Sequence, residues 1–286
     1  MLFYPSKTNN TLNRREFNPE RITGRVMVNT RYPIKDVGNA DVFCDSGAFQ
    51  DIDSSIRLTP EQALNRQLSY EDYLRRNNNE FKYFESICIY DQMAGVDEQV
   101  IDSKKIKRRG TRHTAMKAIR ETILAADYYA SKRASIEGKI CFVGQGIDPR
   151  QYIDMCIVPL LDLIRPGDFF AFGGFCIIGR IPSLKSVFYK TFQDAMPLLK
   201  KAEVSRVHLL GVLVSDVVSW ANTEANKYGI EISNDGSGPE INGGAFGRIW
   251  RDGKYEPVGK KKWIEYHPYD IAVHNIKEYD AWCKNL

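Results

Sequence analysis

The chain has 286 residues, 43% hydrophobic and 27% charged, with 40 basic residues against 36 acidic ones and a net charge of +4. This composition suits a globular protein with a sizeable core, and no apolar run approaches the ~20 residues that span a bilayer. The six cysteines, Cys44, Cys88, Cys141, Cys156, Cys176 and Cys283, form no Cys-x-x-Cys pair. A zinc knuckle, a thioredoxin-like site and a disulfide framework are therefore disfavoured, and the cysteines read as small buried hydrophobes.

The N-terminus, MLFYPSKTNNTLNRREF, breaks at Pro5 and turns polar, unlike a signal peptide, so a cytoplasmic protein with no membrane association is expected. Short runs rich in Val, Ile, Phe and Cys then recur: RVMVNT (25–30), ADVFCD (40–45), FESICIYD (84–91), KICFVGQG (139–146), DFFAFGG (168–174), RVHLLGV (206–212) and YGIEISND (228–235). Each is too short for an amphipathic helix and most lack period-two alternation, which predicts strands buried on both faces.

Helical patterns lie between them. Thr59 and Pro60 supply an N-cap and a first-turn proline for a helix to about Arg76, with Glu61 and Glu71 on its polar side. Residues 111–135 place Met116, Ile119, Ile123 and Ala126 on one stripe, and Asp148 with Pro149 opens another helix. Ser183 to Lys201 and Val214 to Tyr228 are further helices, with Pro197 expected to end or kink the former. Three basic clusters, Arg14–Arg15, Lys104 to Arg109 (KKIKRR) and Lys260 to Lys262, read as solvated charge unless all share one face, where they would track phosphates.

Repeated strand–helix–strand units imply parallel pairing with right-handed crossovers. No Gly-x-Gly-x-x-Gly turn follows the first strand, which disfavours a dinucleotide-binding sheet. Asp45, Asp91, Gln145, Gly173 with Gly174, Gly211 and Asp235 all fall at the C-terminal ends of successive predicted strands. In a barrel those ends ring one mouth, where active sites are built. The expected fold is one (β/α)8 TIM barrel spanning residues 1–286, with its core at about 25–275 and its eighth strand within Trp263 to His274. Carboxylates and an amide facing one cavity suit general acid/base or nucleophilic work on a polar substrate, glycosidic bond cleavage above all.

The stretch DSGAFQ (45–50) resembles the DSGGFQ motif of the tRNA-guanine transglycosylases. Further segments match in that family's order. YDQM (90–93) resembles its FDE, VGQG (143–146) its VQGG, FGGF (172–175) its GGLAVGE region and HLLGV (208–212) its YLMGV. ISNDGSGPEINGGAFGR (232–248) resembles the segment with its nucleophilic aspartate. The resemblance covers about residues 25 to 250 and implies a barrel that exchanges guanine for a 7-deazaguanine through a covalent glycosyl-enzyme.

Carried onto this chain, the resemblance makes Asp235 the nucleophile and Asp45 the general acid/base. Asp91, or its neighbour Asp97, would accept hydrogen bonds from the base's N1 and exocyclic amine. Gln145 and the backbone beside Gly173 and Gly174 would hold the O6 side. Phe49 and Leu210 would wall the ring, with Ser46 lining the same substrate site. His208 reads as a packed core histidine.

Members that act on tRNA carry a Cys-x-Cys-x-x-Cys and His zinc site after the nucleophile; here only Cys283, with His267 and His274, occupies that region. The chain is thus most similar to the zinc-free branch of bacteriophages and bacterial modification islands that places 7-deazaguanines in DNA. The implied partners are DNA, or alternatively tRNA, and a 7-deazaguanine base such as the 7-cyano form, with no cofactor and no metal. A catalytically silent binding subunit is the alternative from another class, and the oligomeric state is open.

Overall fold

A computed structural model describes residues 1–6, 18–53, 57–94, 96–101, 104–109, 111–258 and 268–286. The chain opens with strand β1 (Leu2–Pro5), a short helix α1 (Glu20–Thr23), β2 (Arg25–Asn29) and β3 (Asp41–Asp45). Next come α2 (Ala48–Asp53), α3 (Pro60–Asn77), β4 (Ser86–Cys88), a hairpin of β5 (Val96–Ile101) and β6 (Lys104–Arg109), then α4 (Arg112–Ser131). Strand β7 (Lys139–Gly144) leads into a π-helical segment (Gln151–Ile157), α5 (Val158–Leu161), β8 (Phe169–Phe172), α6 (Ser183–Lys201) and β9 (Arg206–Leu209). The last elements are α7 (Ser215–Asn226), β10 (Glu231–Gly236), α8 (Gly238–Gly244), a second hairpin of β11 (Arg248–Arg251) and β12 (Lys254–Pro257), and α9 (Pro268–Lys284).

Eight strands pair in parallel in the order β1-β10-β9-β8-β7-β4-β3-β2, and a parallel bridge from Ser6 to Met27 brings the two edges together. This is a (β/α)8 barrel in one domain, as the strand-end pattern predicts. Its interior is filled with rings. His208 stacks on Phe43 at 4.5 Å, Tyr4 meets both edge-on, and Phe43 lies 6.1 Å from Phe169. Below them the Arg206 guanidinium sits 4.5 Å from the Phe169 ring and donates to Tyr4 Oη and Glu85 at 2.7 Å and to Glu231 at 2.6 Å. Tyr4 Oη in turn donates to Glu85. A buried cation needs such partners, and these close the end of the barrel opposite the strand termini.

The eighth strand is not where the sequence reading puts it. Of Trp263 to His274, residues 263–267 lie outside the described residues and the rest belongs to helix α9, while β1 completes the barrel from before residue 25. The four residues LFYP are too few to announce a strand, and pairing with β10 (Tyr4 opposite Asp235) is what fixes them.

Of the two outcomes expected at Pro197, an end is excluded, because helix α6 runs through it to Lys201. Glu71 is not on a polar face but buried, accepting the Phe84 N–H at 2.7 Å and lying 3.4 Å from Arg75. The Thr59 cap on α3 forms as expected, with Gln62 completing a capping box. The helix from Asp148 starts at the expected place, where the Asp148 carboxylate accepts from Gln151 N–H at 2.8 Å, but winds as a π-helix from Gln151 to Ile157.

Candidate active site at the barrel mouth

Strand β3 delivers Asp45 to the mouth and stops there because Gly47 turns the chain at φ +77°. A side chain at Gly47 would also crowd Arg66, Asn29 and Thr30, each about 3.1 Å away. The Ser46 carbonyl accepts from Thr30 at 2.9 Å and from Arg66 at 2.6 Å, and Ser46 itself is fully buried. Arg66 also holds Asp51 through two bonds of 2.8 and 3.1 Å; Arg31 approaches Asp51 at 3.3 Å, and Tyr90 donates to it at 3.0 Å. The DSGAFQ loop thus rests on a buried, fully paired carboxylate. Asn29, at the end of neighbouring β2, divides its amide hydrogens between Asp45 (2.6 Å) and Gln50 (2.9 Å).

Asp91 follows β4 and accepts a 2.7 Å hydrogen bond from Gln145, which follows β7. The Gln145 carbonyl oxygen accepts from Ala94 N–H at 3.3 Å, and its backbone N–H reaches the Cys156 sulfur on the π-helical segment at 3.2 Å. The π-helix also brings Tyr152 over the strand ends, where its hydroxyl donates to the Gly144 carbonyl at 2.5 Å. Behind Gln145 lie Gly173 and Gly174. A Cβ on Gly173 would stand 2.2 Å from Gln145 Nε2, so only glycine leaves room for that amide.

Asp235 ends β10. Its Oδ1 accepts from Gly211 N–H at 2.7 Å and from His208 Nε2 at 3.1 Å, while Ser6 donates to Oδ2 at 3.2 Å. The carboxylate offers only acceptors, so Nε2 of His208 carries a proton; Nδ1 lies 2.8 Å from Ser233 Oγ.

Two of the aspartates act on the third. Burial first, then the charges of Asp91 and Asp235, push the Asp45 carboxyl up to about 7, against the backbone N–H groups of Gly47 and Ser46. Burial pushes Asp91 up to about 6, against the hydrogen bond from Gln145. An acid that titrates near neutrality suits proton exchange, and the anchored Asp235 beside it has the fixed orientation a nucleophile needs.

The structure therefore brings Asp45, Asp91, Gln145, Gly173, Gly174 and Asp235 to one mouth. Phe49 stands 44% exposed on α2, just beyond Asp45, and Leu210 is half-buried in the turn that holds Gly211. Asp97, the rival to Asp91, lies on β5, opposite Arg108. Cysteines 44, 88, 141, 156 and 283 are buried as expected, but Cys176 is exposed at the mouth, with its thiol raised by partial burial and by Asp235. The strand-end rule that found Asp45 also points to Asn29 and, had β1 been recognised, to Ser6. Nothing local marks Arg66 or Asp51, whose roles come from tertiary contact alone.

No protein-family model matches this chain, and no curated protein matches it. Among solved structures, it is similar to a carboxyl transferase domain of Rhizobium etli pyruvate carboxylase with pyruvate. That likeness has a TM-score of 0.36 at 11% identity and covers 97% of this chain and 47% of that one, so the chain spans about half the neighbour's length. No helix among the described residues is long and apolar enough to cross a membrane.

Proposed function

We propose that the protein is a DNA-guanine transglycosylase of the cytoplasm, exchanging guanine in DNA for a 7-deazaguanine base. The observation that carries the reading is the convergence of Asp45, Asp91 and Asp235, with Gln145 bonded to Asp91, at one end of the barrel. Gln145 gives Asp91 one amide hydrogen at Oδ2, so its second N–H and Asp91 Oδ1 are the donor and acceptor this pair has left for a base. A donor next to an acceptor matches the C6 carbonyl and N1–H of a guanine-like ring and mismatches the adenine edge.

In the reaction, Asp235 attacks C1′ of the deoxyribose through Oδ2, the oxygen with the single, longer hydrogen bond. The C1′–N9 bond breaks, and the departing guanine takes the Asp45 proton. The incoming base returns a proton from its own N9 to Asp45 and attacks C1′, releasing Asp235. Charge and atoms balance without a redox partner. A carboxyl near 7 suits both halves of this exchange at neutral pH.

Nucleoside analysis of DNA and tRNA from cells expressing the protein with a supply of 7-cyano-7-deazaguanine tests the reading. The expected result is the deazaguanine in DNA. Its appearance in tRNA alone, or in neither, overturns the proposal.

A further inference from the structure

The longest insertion on the Asp91 side of the mouth has no role in the chemistry above. Between Asp91 and α4 the chain builds the β5–β6 hairpin, whose two strands hold five basic residues and two acidic ones. In its register Asp97 lies opposite Arg108 and Glu98 opposite Lys107. Lys104, Lys105 and Arg109 lie opposite Ile101, Val100 and Val96 in the same register.

Helix α4 continues the same charge. Arg112, His113, Lys117 and Arg120 are exposed, and His113, Met116, Lys117 and Arg120 line a cavity of about 400 Å³ on the helix surface. Lys117 lies 3.9 Å from Glu121; Arg112 and Arg120 have no carboxylate partner among the described residues. The level of this face relative to the mouth is fixed by one bond: Gln92 N–H, next to Asp91, donates to Thr122 Oγ1 on α4 at 2.9 Å. At 1.5 Å per residue, the helix from Thr122 back to Arg112 advances up to ~15 Å beyond that point, away from the strand ends. Arg57, exposed and bonded to Gln92 at 2.8 Å, adds a cation where this ridge meets the mouth.

We infer that the first turns of α4 form an arm that grips the sugar-phosphate backbone of the nucleic acid whose base enters the mouth. The occupant rests on the transglycosylase reading; the arm rests on its own charge and position. A backbone strand carries one phosphate every few ångströms, so ~15 Å of ridge meets several at once. An anionic membrane fits less well, because the cations of α4 lead to the polar mouth and the helix exposes one large apolar residue, Leu124, where a membrane-lying helix needs a broad apolar face.

The test is fluorescence anisotropy of labelled single-stranded and duplex DNA, and of RNA of the same sequence, over a KCl series. The proteins compared are the intact protein and the triple variant Arg112→Gln, Lys117→Gln, Arg120→Gln. Binding of the free 7-deazaguanine base is measured alongside as a check that the barrel is intact. The expected result is that the slope of log K against log salt falls by roughly 2–3, at about 0.7–0.9 per lost phosphate contact, with base binding unchanged. An unchanged slope overturns the arm, as does a protein that ignores all three nucleic acids yet binds vesicles of phosphatidylcholine with phosphatidylserine. A reduced slope for a protein that leaves deazaguanine in neither the DNA nor the tRNA of expressing cells supports the arm and sinks the transglycosylase reading, so the two failures are distinct.

Discussion

His208 Nε2 reaches Oδ1 of Asp235 across 3.1 Å from a ring that is wholly buried and stacked on Phe43. The histidine is both core and site: its faces fill the barrel and its edge orients the carboxylate at the mouth. His208→Leu keeps the volume but removes a donor from Asp235 and a partner from Ser233. It is expected to cost ~1–3 kcal/mol by chemical denaturation, the usual penalty for orphaned buried polar groups. His208→Gln, which puts an amide N–H near the same place, should recover part of that loss. Equal stability of His208→Leu and the intact protein would show that the contact contributes nothing.

The pH dependence of stability follows from Asp45. Its folded carboxyl titrates near 7 against an ordinary value of 3.8, so between those values the folded state holds a proton that the unfolded chain has lost. The contribution of Asp45 to stability is then fullest below about pH 4 and is lost as pH rises to 7. Asp45→Asn removes the penalty. Above about pH 7 the variant should be more stable by up to ~4 kcal/mol, less whatever water at the mouth screens, and near pH 4 the difference should vanish. Denaturation curves at both ends of this range check it, and a variant less stable at high pH would refute a raised Asp45 carboxyl.

The barrel was legible because seven of its eight strands are doubly buried runs ending in polar residues, and Asp45, Asp91, Gln145 and Asp235 are such ends. The same logic missed β1, since LFYP becomes a strand only when β10 and β2 close on it. Glu71 shows the limit of helical periodicity: its place on α3 looks polar, yet the Phe84 N–H needs an acceptor in the interior and takes this one. Helix α4 repeats the lesson in reverse, with Leu124 64% exposed while Thr122 is buried to meet Gln92. Hydrogen bonds between segments distant in sequence decide these cases, and periodicity carries no information about them.

Gly173 supplies a test of the base slot. In Gly173→Ala the new Cβ would stand 2.2 Å from Gln145 Nε2, so the amide must leave its 2.7 Å bond to Asp91. Titration calorimetry with 7-cyano-7-deazaguanine should show affinity weakened by about tenfold or more, ~1.4 kcal/mol, the scale of one hydrogen bond to a charged group. Unchanged affinity would take Gln145 out of the base site.

The two outer acids separate an enzyme from a silent barrel. If Asp235 attacks the sugar carbon, Asp235→Asn should abolish the covalent protein–nucleic acid adduct, because an amide is a poor nucleophile at an anomeric centre. The asparagine retains an oxygen for Gly211 N–H and His208 Nε2, so the fold should persist. Asp45→Asn leaves the nucleophile in place and removes the proton carrier. Base exchange should then fall by roughly 10²–10⁴-fold, the usual contribution of general acid/base catalysis, while nucleic-acid binding remains. Adduct can be trapped on a denaturing gel with DNA and tRNA side by side and guanine analogues present. Survival of the adduct in Asp235→Asn moves the nucleophile elsewhere, with Asp45 the carboxylate at the mouth to test next. Adduct with tRNA alone overturns the choice of DNA, and none with either nucleic acid favours a binding subunit over an enzyme.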